Sequence, residues 1–74
     1  MEDPKTFGRE LADYTYSRIQ DEGLSSGETS TLFGIKVAQR AREMETQGWS
    51  GGAIADWVES VAGAYAARLC ELTE

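Results

Sequence analysis

Two pairs of carboxylates are the residues of this sequence whose spacing could best do chemistry. Glu10 and Asp13 are three residues apart, as are Asp56 and Glu59, so each pair would share one face of a helix. Such a pair could contribute to a site for a hard cation. A complete site needs more converging oxygen ligands than one helix face supplies. We therefore expect both pairs to be solvated surface, and we predict no metal site.

The sequence contains no histidine and a single cysteine, Cys70. Histidine is the commonest general base, a frequent metal ligand and the usual partner of a Ser or Cys nucleophile. Cys70 falls among small residues, with no cation placed to favour its thiolate, which is typical of a packing residue. The sequence therefore predicts no catalytic, cofactor-binding or metal-binding residues, and we expect the protein not to be an enzyme.

The charge balance is strongly acidic, with 13 Asp and Glu against 7 Lys and Arg, a formal net charge of −6. This charge repels nucleic acids and anionic lipids. No apolar stretch approaches the roughly 20 residues of a membrane span, and the N-terminal residues do not resemble a secretory signal. We expect a cytoplasmic protein, in the host cytoplasm if it is phage-encoded, that binds neither membranes nor nucleic acids directly.

Signals for the first helix are clear at both ends. Asp3 can cap a helix N-terminus, and Pro4 suits the first helical position. Gly23 can adopt the left-handed conformation that ends a helix, with Leu24 folding back as in a Schellman motif. Between them, one stripe of the helix is formed by Phe7, Leu11, Tyr14 and Arg18, and it is widened by Ala12 and Ile19.

The second and third helices carry similar signals. Ser25 and Glu28 have the spacing of a capping box, although the start of helix two is uncertain by several residues. Gly48 provides a second stop, and Ser50 can cap helix three. Trp49, next to that cap, should pack beside both helices and be buried, as should Trp57.

The predicted fold is an all-α, three-helix domain spanning residues 1–74, with antiparallel helices joined by short connections. The predicted helices cover about residues 4–22, 28–47 and 51–72. A chain this short buries only about 60% of its unfolded surface, and it has neither disulfides nor a metal to stabilise it. Oligomerisation could therefore complete the fold, and we expect a homo-oligomer or a protein partner.

Helix three has an apolar face for the core and an unusual opposite face. The apolar positions follow at helical steps: Ile54, Trp57, Val58, Val61, Tyr65, Leu69 and Leu72. The opposite face has small residues where a solvated helix normally has charged ones. Leu32 and Ile35 likewise lie away from the main apolar stripe of helix two. Apolar and small residues that face away from the core are typical of an interface with another protein.

The first functional hypothesis is a small acidic, non-enzymatic protein-binding module, an adaptor or inhibitor that acts through helix surfaces. Its predicted apolar contact residues are Leu32, Ile35, Gly63, Ala66, Ala67 and Cys70.

The alternative hypothesis is electrostatic mimicry of nucleic acid. Small acidic phage proteins directed against host defences, such as anti-CRISPR proteins, could occupy a basic groove of their target in this way. The predicted contact residues are then Asp13, Asp21, Glu22, Asp56 and Glu59. The sequence also predicts surface ion pairs of Arg9 with Asp13 and of Arg18 with Glu22. Mimicry should weaken steeply with salt, whereas apolar association should not.

Overall fold

The computed structural model of the protein describes residues 3–74 and confirms the all-α prediction. Three helices follow one another along the chain: α1 (Pro4–Glu22), α2 (Ser26–Thr46) and α3 (Gly51–Thr73). Within residues 3–74 there is no β-strand.

The helix starts are set by local side-chain caps. Asp3 accepts a hydrogen bond from the Lys5 N–H, and Ser50 accepts one from the Ala53 N–H at 3.1 Å. The Ser25 hydroxyl accepts from the Glu28 N–H at 3.2 Å, while the Glu28 carboxylate accepts from the Ser25 N–H at 3.3 Å. This complete capping box makes Ser26 the first residue of α2, two residues before the predicted start.

Two glycines with positive φ end the first two helices, at 66° for Gly23 and 93° for Gly48. After α2, the Trp49 N–H donates to the Met44 carbonyl at 3.1 Å, and Gly48 donates to Glu45 at 3.0 Å, which is the Schellman pattern. After α1, Gly23 donates to the Ile19 carbonyl at 2.9 Å. That bond defines the simpler αL motif, so the Schellman motif predicted there is wrong in detail.

The helices run up, down and up along an elongated body of 37 × 19 × 16 Å. The Phe7 and Trp57 rings lie 5.1 Å apart, and farther along both helices Arg68 donates to Asp13 at 2.8 Å. Thus α1 and α3 are parallel to each other, and α2 is antiparallel to both. The packing of α1 on α3 is much more extensive than that of α2 on either neighbour.

Gly8 permits the close approach of α1 to α3. A Cβ atom at this position would lie 2.6 Å from the Val61 carbonyl oxygen and 2.9 Å from the Ala64 Cβ. Farther along α1, Ala12 and Thr15 are fully buried. These three residues form a small-residue stripe that brings the two helices together, and it was not predicted from the sequence.

The core is small for the number of apolar residues in the chain. Its buried cluster consists of Leu11, Val37, Met44, Trp57 and Val61. Trp57 is buried as predicted, at 4% exposure, but Trp49 is only half-buried because it packs at the edge of this cluster. None of the helices in residues 3–74 combines enough length and apolar character to cross a membrane.

Candidate protein-binding surfaces

An open crevice between α1 and α2 is lined by both of the large hydrophobic side chains that are exposed in residues 3–74, Tyr14 and Ile35. Two depressions, of about 280 and 630 Å³, lie end to end along it. We call this surface the α1–α2 groove and define it by the following lining residues: Phe7, Glu10, Leu11, Tyr14, Arg18, Leu24, Glu28, Leu32, Ile35 and Lys36. The crevice stays open because α2 packs sparsely on α1.

Two of the six predicted apolar contact residues lie in this groove. Ile35 is 51% exposed, and Leu32 is half-buried beside it. Both line the larger depression together with Arg18 and Leu24. An isoleucine this exposed gains free energy when a partner covers it, because apolar surface leaves water.

Tyr14 marks the middle of the groove. Its ring is 43% exposed. The Arg18 guanidinium lies 5.8 Å and the Lys36 ammonium 5.4 Å from the ring centroid, and Arg18 also donates to the Tyr14 hydroxyl at 3.2 Å. These cation–π contacts hold the ring at the surface. The four-residue spacing of Tyr14 and Arg18 was the available signal for this arrangement.

The other four predicted apolar contact residues lie on a separate surface. Gly63, Ala66, Ala67 and Cys70 are all exposed. Cys70 is about 180° around α3 from the buried Val61, so this face points away from the core. A Cβ atom on Gly63 would meet nothing within 4 Å. We call these four residues the α3 back face. The structure therefore divides the predicted apolar set between two sides of the bundle.

A third depression lies between α2 and α3, near the end where α1 meets α2. It measures about 490 Å³, and its lining includes Ile19, Phe33, Tyr65 and Leu69. The Phe33 and Tyr65 rings pack together with centroids 4.4 Å apart. All four of these residues are half-buried, so none of them is exposed as Ile35 is.

The predicted acidic contact residues do not form one surface. Asp13 pairs with Arg68 of α3 at 2.8 Å, where the sequence predicted a pair with Arg9. That correction follows from the parallel packing of α1 on α3, which brings Arg68 to Asp13. The hydrogen bonds that the Arg68 guanidinium donates to Asp13 and Glu71 raise its pKa above the ordinary value.

Glu22 is engaged in the predicted ion pair, with Arg18 donating to it at 3.0 Å. This hydrogen bond lowers the pKa of Glu22 below its ordinary value. Asp21, Asp56 and Glu59 are exposed. Because α1 and α3 are parallel, Asp21 and Asp56 lie near opposite ends of the bundle, about 30 Å apart along its axis.

The fold adds no third potential metal ligand to the carboxylate pairs Glu10 with Asp13 and Asp56 with Glu59 within residues 3–74. In the part of the chain that the structure describes, no three Asp, Glu or Cys side chains converge as metal ligands would. Glu10 faces the α1–α2 groove, whereas its neighbour Asp13 is bonded to α3. Cys70 is exposed on the α3 back face.

Comparisons with protein families, curated proteins and solved structures found no match to this chain. Its function must therefore be inferred from the chemistry of the α1–α2 groove and the α3 back face.

Proposed function

We propose that the protein is a non-enzymatic protein-binding module, an adaptor or inhibitor, that binds a partner protein in the α1–α2 groove. The observation that carries this proposal is the position of Ile35 and Tyr14. They are the two large hydrophobic side chains that are exposed within residues 3–74, and both line this groove.

The shape of the groove is suited to binding a helix of the partner protein. The lining of the groove runs between two antiparallel helices and follows α1 from Phe7 to Arg18, about 17 Å at the rise of an α-helix, with apolar and charged side chains interspersed. Amphipathic helices bind in grooves of this kind through anchors at helical spacing. The net charge of −6 and the absence of histidine support a role without nucleic-acid contact or catalysis. The single cysteine suits a reducing compartment, which supports a cytoplasmic location.

Apolar association is better supported than electrostatic mimicry. Mimicry requires unpaired acidic groups on one surface, yet Asp13 and Glu22 are engaged in intramolecular ion pairs. The remaining acidic contact residues are dispersed along the bundle axis. A partner that depends on Ile35 should bind with little sensitivity to salt, because apolar contacts are not screened.

Ile35→Asp is the substitution that tests this proposal. It should weaken capture of the partner from a native lysate by at least about tenfold, or roughly 1.4 kcal/mol, because a carboxylate would be buried in an apolar contact. The fold should survive, since Ile35 is 51% exposed in the free protein. Circular dichroism checks the fold, and quantitative mass spectrometry of captured proteins measures the loss.

Ala66→Asp is the matched control, because it adds the same charge to an exposed helix position on the α3 back face. We expect capture by this variant to equal that of the unmodified protein, at both about 50 and 500 mM salt. Capture that survives Ile35→Asp but disappears at high salt would favour mimicry instead.

A further inference from the structure

The groove side of α1 carries two opposite charges placed symmetrically about an exposed aromatic ring. Glu10 and Tyr14 line one depression, and Arg18 lines the other. Each charged residue is four positions from Tyr14, which is about 6 Å along the helix axis. When two copies of α1 lie antiparallel with their Tyr14 residues level, Glu10 of each helix is therefore level with Arg18 of the other.

Side chains of both charges line the groove. Glu10 and Glu28 lie in it with Arg18 and Lys36, and Arg18 is also paired with Glu22 of its own chain. The whole chain, in contrast, has a net charge of −6. Two such chains repel each other over most of their surfaces. The α1–α2 groove is a surface where that repulsion is locally offset, so its charge pattern suits a second copy of this chain.

We propose that the α1–α2 groove binds a second copy of the protein, with the two α1 helices antiparallel about a two-fold axis at the level of Tyr14. This inference rests on the proposed function, since it names the partner of the same groove. A two-fold contact uses the same patch on both subunits. Glu10 of each copy then lies level with Arg18 of the partner subunit.

Arg18 retains hydrogen-bonding capacity for this contact. Three of its N–H bonds are used within the chain. The Nε N–H and one N–H of Nη2 donate to Glu22, and one N–H of Nη1 donates to Tyr14. A guanidinium has five N–H donors, so two remain for Glu10 of the partner subunit. The contact also covers Ile35 and Tyr14, which accounts for their exposure in a single copy.

The pairing predicts charge-swap complementation between two variants. Glu10→Lys and Arg18→Glu should each weaken the dimer at least about tenfold, because each places like charges opposite one another at two symmetric positions. An equimolar mixture of the two variants should form a 1:1 heterodimer, in which both positions again hold opposite charges. Sedimentation equilibrium of the purified chains at about 50 µM measures all three samples.

Two further variants distinguish this contact from association through the α3 back face. Ile35→Asp should also abolish the dimer. Because it leaves the Arg18–Glu22 pair intact, it can replace Arg18→Glu as the test if that variant is less helical. Ala67→Arg alters the α3 back face and should leave the dimer unchanged. Loss of the dimer with Ala67→Arg but not with Ile35→Asp would overturn the pairing, as would a monomeric unmodified protein.

The outcomes distinguish this inference from the proposed function. A monomer whose capture of another protein is lost on Ile35→Asp would overturn the two-fold pairing and leave protein binding by the groove in place. A mixture of the charge variants that fails to form a heterodimer, when the unmodified protein is a dimer, would also overturn it.

Discussion

Replacing Trp57 with alanine is expected to unfold a large fraction of the protein. Trp57 is 4% exposed and packs against Phe7, with the ring centroids 5.1 Å apart. Removing a buried tryptophan typically costs about 3 to 5 kcal/mol, which is comparable to the stability of a small domain. Urea titration followed by circular dichroism should show most of the helical signal lost or the midpoint greatly lowered.

Trp49→Ala is the natural comparison for this experiment. Trp49 is half-buried at the edge of the core, so its replacement should cost less than that of Trp57. Equal losses for the two variants, or a larger loss for Trp49→Ala, would contradict the assignment of Trp57 to the centre of the core.

Gly8→Ala is expected to destabilise the protein by about 1 to 3 kcal/mol, although alanine is the better helix former. The added Cβ atom would lie 2.6 Å from the Val61 carbonyl oxygen and 3.0 Å from the Tyr65 nitrogen. Both neighbours are backbone atoms, so α1 and α3 must move apart to accommodate the methyl group. Thermal unfolding measures the change.

Gly34→Ala provides a matched control in the interior of α2. A Cβ atom there would meet nothing within 4 Å, so only the helix propensity changes. This variant should be stabilised by about 0.5 to 1 kcal/mol. If both substitutions stabilise the protein, the close approach of α1 to α3 at Gly8 is wrong.

The helices were predictable because their signals are local. Apolar spacing of three and four residues predicts a helix, and caps such as Ser25 with Glu28 act over three residues of sequence. The capping box of Ser25 and Glu28 already indicated the start of α2 at Ser26. The predicted start at residue 28 came two residues late because Gly27 and the following hydroxyl residues weakened the helix signal.

The contacts between helices were harder to predict because they depend on how the helices rotate and align. Gly8 could be recognised as a contact residue only once Val61 and Ala64 were known to lie opposite it. The pairing of Asp13 with Arg68 spans 55 positions and likewise follows from the parallel alignment of α1 and α3.

The candidate site was anticipated only in part. Leu32 and Ile35 were identified as surface apolar residues, and both line the α1–α2 groove. Tyr14 was predicted only as part of the stripe of α1 and not as a contact residue, because the cations that hold it at the surface come from two helices. The α3 back face was also predicted to bind a partner, whereas our proposal confines binding to the groove. Ala66→Asp and Ala67→Arg, both expected to have no effect on binding, test that restriction.

The most direct measurement of the central claim is site-specific photo-crosslinking from the α1–α2 groove. A photoreactive phenylalanine derivative in place of Ile35 should form a discrete covalent adduct with a protein, either a second copy or another chain, in the native lysate. The same group in place of Ala66 should yield far less adduct, because that residue lies outside the groove. Discrete adducts from position 66 but none from position 35 would contradict protein binding in the α1–α2 groove.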